Sequence, residues 1–187
     1  FFVELMILPI GIYGIYSQSM IYRVPARPSW NKKETTKIFF TVGYIGFLLV
    51  AFCLSLNNQT ASANLLLTLL LFLSFYKVGL LNRQTEFYKN LKEEHKNFYQ
   101  LNKTKKLYDE FFVKQVKYRK QLLFLGGLIL PIIAMLFNAQ GDNFIAAFLL
   151  GAATLISFAS EIIGRYLFYV TAVSQGLAGN FFAGSQR

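Results

Sequence analysis

The sequence is poorest in the residues that hold metals and make crosslinks. Its 187 residues include one cysteine, Cys53, and one histidine, His95. A single thiol forms no internal disulfide, and without a cysteine cluster the chain cannot hold structural zinc or an iron–sulfur centre of its own. One histidine cannot supply both axial ligands of a bis-histidine haem, and a lone imidazole in a charged stretch is far more often solvated than ligating. Acid is also scarce, with nine Asp and Glu against nineteen Lys and Arg. The chain opens FFVEL, with neither an initiator methionine nor the basic n-region and small-residue cleavage site of a signal peptide. It reads as the later part of a longer chain.

What is abundant is apolar. Hydrophobic residues make up 55% and aromatic residues 17% of the sequence, and the apolar share is above the soluble average. With a helical rise of about 1.5 Å per residue, about 20 apolar residues cross a bilayer. The runs predict crossings at 1–23, 38–57, 64–82, 122–139 and 144–173, with a polar amphipathic insertion at 83–121. The expected fold is therefore an all-α integral membrane bundle of about five transmembrane helices, forming one domain over 1–187.

The net charge of +10 would suit nucleic acid, but its placement argues for a membrane topology instead. Of the nineteen basic residues, five lie between Tyr22 and Lys37 and eleven between Arg83 and Gln121. The other two connections, NNQTASAN and QGDN, carry none. Cytoplasmic loops are enriched in Lys and Arg, so the basic loops and the C-terminus are expected in the cytoplasm, in a prokaryotic cytoplasmic (inner) membrane.

Ile21 to Asn31, IYRVPARPSWN, ends the first apolar run. Pro25 and Pro28 lack backbone donors and push Val24 and Arg27 out of the α region, so the first helix should stop by Val24. Backbone released from a helix cannot sit bare in hydrocarbon, which puts this turn at the bilayer surface or against protein. Arg23, Arg27 and Trp30 suit that depth. On residue chemistry alone, the loop reads more readily as an anchor for a helix end than as a site.

In 83–121, Phe87, Leu91 and Phe98, then Tyr108, Phe112 and Val116, recur near helical spacing, which predicts amphipathic helix with a break around Asn102. A docking platform, a helix on anionic lipid and a solvated extension of the membrane helices all fit this pattern. Gly126, Gly127 and Pro131 should loosen or kink the fourth crossing. Lys77 falls near the end of the third, where it is expected to snorkel. In the last, Glu161 and Arg165 stand four apart and can pair on one helix face. A salt bridge that fixes the helix and a place beside a proton or quinone pathway are about equally supported, because intramembrane carboxylates are functional candidates.

Two stretches carry a family resemblance. IYRVPARPSWN resembles a loop of the dimethyl-sulfoxide reductase membrane anchor subunit family, and EIIGRYLFY resembles the Glu-Leu-Ile-Gly-Arg…Phe-Tyr segment of its last helix. They stand in the expected order near opposite ends of the chain, which would correspond to roughly the C-terminal five of eight crossings. The resemblance implies the membrane anchor of a molybdopterin oxidoreductase that binds and oxidises menaquinol and carries no metal of its own. Electrons would pass to an iron–sulfur subunit and on to a molybdopterin catalytic subunit, and those partners alone would hold the iron–sulfur clusters and molybdopterin. The family's quinol-linked histidine belongs to earlier helices and has no counterpart here. Arg27, Trp30, Glu161 and Arg165 match motif positions and are the candidates for the quinol site or the partner contact. The 83–121 segment is longer and more charged than the resemblance predicts. A transporter half and a purely structural anchor are the alternatives, the first of which predicts an internal repeat that this sequence does not show.

Overall fold

The computed structural model describes residues 2–23, 27, 29, 33–91 and 98–173, with side chains at 9–23, 27, 29, 35–39, 41–91 and 98–173. Among these residues the chain is helical, without strands. Helix α1 (Phe2–Ile21) contains Pro9 and stops short of Pro25. Helices α2 (Lys33–Phe40) and α3 (Gly43–Leu56) meet across Thr41 and Val42 and form one crossing over Thr35–Leu56. Helix α4 (Thr60–Lys89) is the next crossing. Helix α5 (Phe98–Lys106) and a π-helical turn at Leu107–Phe111 follow. Then α6 (Val113–Phe124), a second π turn at Leu125–Ile129 and α7 (Leu130–Gln140) make one path over Val113–Gln140. Helix α8 (Asn143–Val170) closes the bundle.

Four helical paths among the described residues are long and apolar enough to cross a membrane. The 20-residue α1 occupies the first of the five expected stretches and packs on α2. The helices outrun the apolar runs: α4 continues past the expected 64–82 to Lys89, and α6 starts at Val113 instead of 122. Apolarity marks hydrocarbon, whereas Arg, Gln, Glu and Lys beyond it are good helix formers and prolong the helix into the polar zone. The two ends of 83–121, residues 83–89 and 113–121, are thus extensions of α4 and α6.

Helix α8 lies at the centre, packed against α3, α6 and α7. Its buried stripe includes Ala146, Leu150, Ala153, Ser157, Glu161 and Gly164, recurring every three or four residues. Phe144, Phe148, Leu155, Phe158 and Ile162 point outward. Small and polar groups inside with large apolar groups outside is the packing of helices surrounded by lipid, where close backbone approach and not water exclusion drives association. The π turn serves that approach: a Cβ on Gly126 would lie 2.7 Å from Ser157 Oγ and 2.9 Å from the Ala153 carbonyl oxygen.

The expected break at Asn102 is corrected. Helix α5 runs through that residue, and the irregularity falls at Leu107–Phe111, where the Phe112 N–H bonds the Leu107 carbonyl five residues back. Aromatic contacts explain the shift: Tyr108 stacks on Tyr88 of α4 at 5.7 Å, and Phe112 meets Tyr166 of α8 at 5.9 Å. The chain re-phases to place both rings, which the local sequence pattern cannot register.

At the opposite end the two turns that lack basic residues touch. Asn143 Nδ2 donates to Asn58 Oδ1 at 2.9 Å, and the buried Asn138 amide donates to Ser55 Oγ at 3.1 Å. The two connections without basic residues therefore share one end of the bundle, as the threading of crossings predicts.

Candidate functional site

Glu161 sits about 27 Å along α8 from Asn143 by helical rise, toward the basic end of the bundle. It is the one buried carboxylate among the described side chains. The expected partner, Arg165, approaches through Nε at 3.6 Å from Glu161 Oε1. The closer partner comes from another helix: Lys77 Nζ donates to Glu161 Oε2 at 2.6 Å. This overturns the expectation that Lys77 snorkels. Lys77 is 2% exposed, and its ammonium also lies over the Tyr44 ring, 4.1 Å from the centroid. Because α4 continues twelve residues beyond Lys77, its backbone is not at a helix end, and turning inward to a carboxylate satisfies the charge better than reaching along the helix.

Tyr44 is itself fully buried and donates from its hydroxyl to the Ser157 carbonyl at 3.2 Å, which ties α3 to α8 one turn before Glu161. Arg119 of α6 completes the cluster. It is 8% exposed, and no carboxylate among the described residues lies within 4 Å of it. Its guanidinium crosses α8 at Gly164, where an added Cβ would stand 2.6 Å from Arg119 Nε. Ser160 Oγ donates to the Arg119 carbonyl at 2.9 Å. Gly164, a motif position in the sequence, is thus the gap through which Arg119 passes. The Arg165 guanidinium rests 3.9 Å from the centre of the Phe39 ring.

Two cations, Lys77 of α4 and Arg165 of α8, therefore contact one carboxylate, and a third, Arg119 of α6, shares a cavity wall with it. A cavity of about 20 Å³ lies against Glu161, Arg119, Arg165, Gln84 and Tyr108. A second, of about 60 Å³, shares Gln84, Tyr108 and Arg119 and reaches Asp109. Such spaces have room for one and a few water molecules respectively, with polar partners on their walls. No group of three or more His, Cys, Asp or Glu among the described residues is arranged to hold a metal.

Of the four sequence candidates, Glu161 and Arg165 meet here. Arg27 is exposed on the loop and is not part of the cavity wall at Glu161, and Trp30 lies outside the described residues, as do Pro25 and Pro28. The start of the loop does join the end of α8: Tyr22 Oη and Tyr169 Oη are 2.7 Å apart, and Tyr22 packs on Phe39 and Phe168. Sequence reading missed Tyr44, Lys77 and Arg119. For Lys77 the signal was present, a cation inside an apolar run; Arg119, three residues before the apolar run that begins at Leu122, carried no such mark.

The family model of the DMSO reductase anchor subunit (DmsC) matches residues 2–171, nearly all of the chain and both motif stretches. No curated protein and no solved structure gives a significant match. The chain belongs to the DMSO reductase anchor subunit (DmsC) family and is a membrane anchor subunit of a DMSO-reductase-type complex.

Proposed function

We propose that this anchor oxidises menaquinol in a prokaryotic cytoplasmic membrane and delivers the electrons to an iron–sulfur subunit that feeds a molybdopterin catalytic subunit. Oxidation of a hydroquinone releases two electrons and two protons, and a proton leaving inside hydrocarbon needs a polar acceptor with a way out. The supporting observation is the buried Glu161 carboxylate beside Lys77, Arg119 and Arg165, backed by two water-sized cavities whose walls share Gln84, Tyr108 and Arg119, the second also bounded by Asp109. The surplus positive charge favours loss of a proton from a neighbouring hydroxyl, because it stabilises the resulting negative charge in a medium of low dielectric. The space against Glu161 accommodates water and not an aromatic ring, so the carboxylate works through water.

Glu161→Gln tests this reading because it keeps the shape and removes the charge. The assembled complex should reduce its terminal substrate normally from an artificial donor while quinol-driven turnover falls about a hundredfold or more, the range for loss of a proton-transfer group. Normal quinol turnover in the intact variant would sink the proposal. The 2.6 Å contact with Lys77 favours a second reading, in which the cluster only pins α4 to α8. In that case Glu161→Gln loses assembly, and both activities fall together.

A further inference from the structure

A groove of about 280 Å³ opens between α4 and α6; it shares no wall residue with the cavity at Glu161, while Leu81 and Lys120 also line the 60 Å³ cavity beside it. Val78, Leu81, Leu123 and Phe124 form its apolar walls, and Asn82, Lys120 and Gln121 bound its other end. The apolar runs end at Asn82 on one helix and begin at Leu122 on the other, so the two breaks fall at one level of this helix pair. The apolar walls thus stand on the hydrocarbon side of that level, and the amides and the ammonium on the headgroup side. An occupant matching this division has a hydrocarbon chain pointing inward and a polar head at the surface.

The charge at the polar end selects the head. Lys120 Nζ makes a long 3.4 Å contact to Thr85 Oγ1, and no carboxylate among the described residues is within 4 Å of it. The exposed Arg83 follows Asn82 directly, adding a second cation at that level. The ammonium has no ion-pair partner within 4 Å among the described residues, although Asp109 lines the 60 Å³ cavity with it, and a lipid phosphate supplies a direct one permanently, whereas a hydroquinone is neutral. We propose that this groove binds an anionic phospholipid, with one acyl chain between Val78 and Phe124 and the phosphate against Lys120.

The test uses the assembled complex, stripped in detergent, reloaded with phosphatidylglycerol or phosphatidylcholine, and weighed intact by native mass spectrometry. The wild type should retain phosphatidylglycerol in preference to phosphatidylcholine. Lys120→Gln should lower that retention about fivefold, the share expected of one cation near a lipid surface, and Lys120→Arg should restore it. Val78→Trp, which fills the apolar part and leaves Lys120 intact, should also reduce retention. Equal retention of phosphatidylglycerol by wild type and both Lys120→Gln and Val78→Trp would overturn the proposal, as would equal retention of the two lipids by the wild type. Displacement of the lipid by a hydroquinone analogue would assign the groove to the quinol instead and overturn it equally. None of these outcomes depends on Glu161, so a failure here leaves the quinol reading to its own experiment.

Discussion

At the scale of single residues, the bundle depends on how one carboxylate is shared. Glu161 receives Lys77 at 2.6 Å and Arg165 at 3.6 Å, so Lys77 is the stronger partner even though Arg165 is its neighbour in sequence. Lys77→Met should therefore be costly, because Glu161 then keeps only a longer contact to a partly exposed guanidinium. Removing one member of a buried pair costs about 3–5 kcal/mol, whereas replacing both by apolar or neutral groups is often close to neutral. The double variant Lys77→Met/Glu161→Gln should thus be more stable than Lys77→Met alone, measured as the temperature at which the purified complex releases this subunit. A double variant no better than the single would show that the two side chains do not depend on each other. The i, i+4 spacing made the Glu161–Arg165 pair legible in the sequence. Lys77 was legible as an anomaly but not as a partner, because it is 84 residues from Glu161 and only packing sets that proximity.

At the scale of elements, helix contacts turn on glycine more than on apolar bulk. Gly126 in the π turn abuts the α8 backbone, and a methyl group there would stand 2.9 Å from the Ala153 carbonyl oxygen, which cannot swing aside as a side chain can. Gly126→Ala is expected to destabilise the subunit by about 1–3 kcal/mol through overpacking. Gly79, on α4, has nothing within 4 Å of its would-be Cβ. Gly79→Ala should therefore stabilise slightly, by about 0.5–1 kcal/mol, because it removes backbone freedom without a clash. Melting of the two variants should move in opposite directions, and a shared direction would mean that Gly126 is not a packing contact. The irregularity around Gly126, Gly127 and Pro131 was readable from local chemistry, since weak helix formers and a missing donor act within a few residues. The π turn at Leu107–Phe111 was not readable, because Tyr88 and Tyr166, the rings that hold Tyr108 and Phe112, come from other helices.

At the scale of the whole molecule, charge divides the bundle into two unlike ends. The end without basic residues is closed by Asn138, Asn143, Asn58 and Ser55, while α5 and the extensions of α4 and α6 gather basic residues at the other. The four described crossings and the separation of the loops were legible because hydropathy and charge are summed over many residues, so small errors at helix ends do not matter. The same sum predicts an orientation: Lys and Arg are enriched in cytoplasmic loops, so Gln59 and Gln140 are expected outside and Lys114 inside. Single cysteines at these three positions in a Cys53→Ser background test it in intact cells with a membrane-impermeant maleimide. All three sites are exposed. Gln140 is a better probe position than Gly141, whose φ of 92° suits glycine and would strain a cysteine, and Gln59 spares the Asn58 contact to Asn143. Gln59→Cys and Gln140→Cys should label directly, and Lys114→Cys only after permeabilisation. The reverse pattern would place the basic end outside, and with it Glu161, which lies closer to that end. Protons released at the proposed Glu161 site would then leave outward instead of into the cytoplasm, so this one labelling experiment also sets the direction in which quinol oxidation by this cluster would move charge across the membrane.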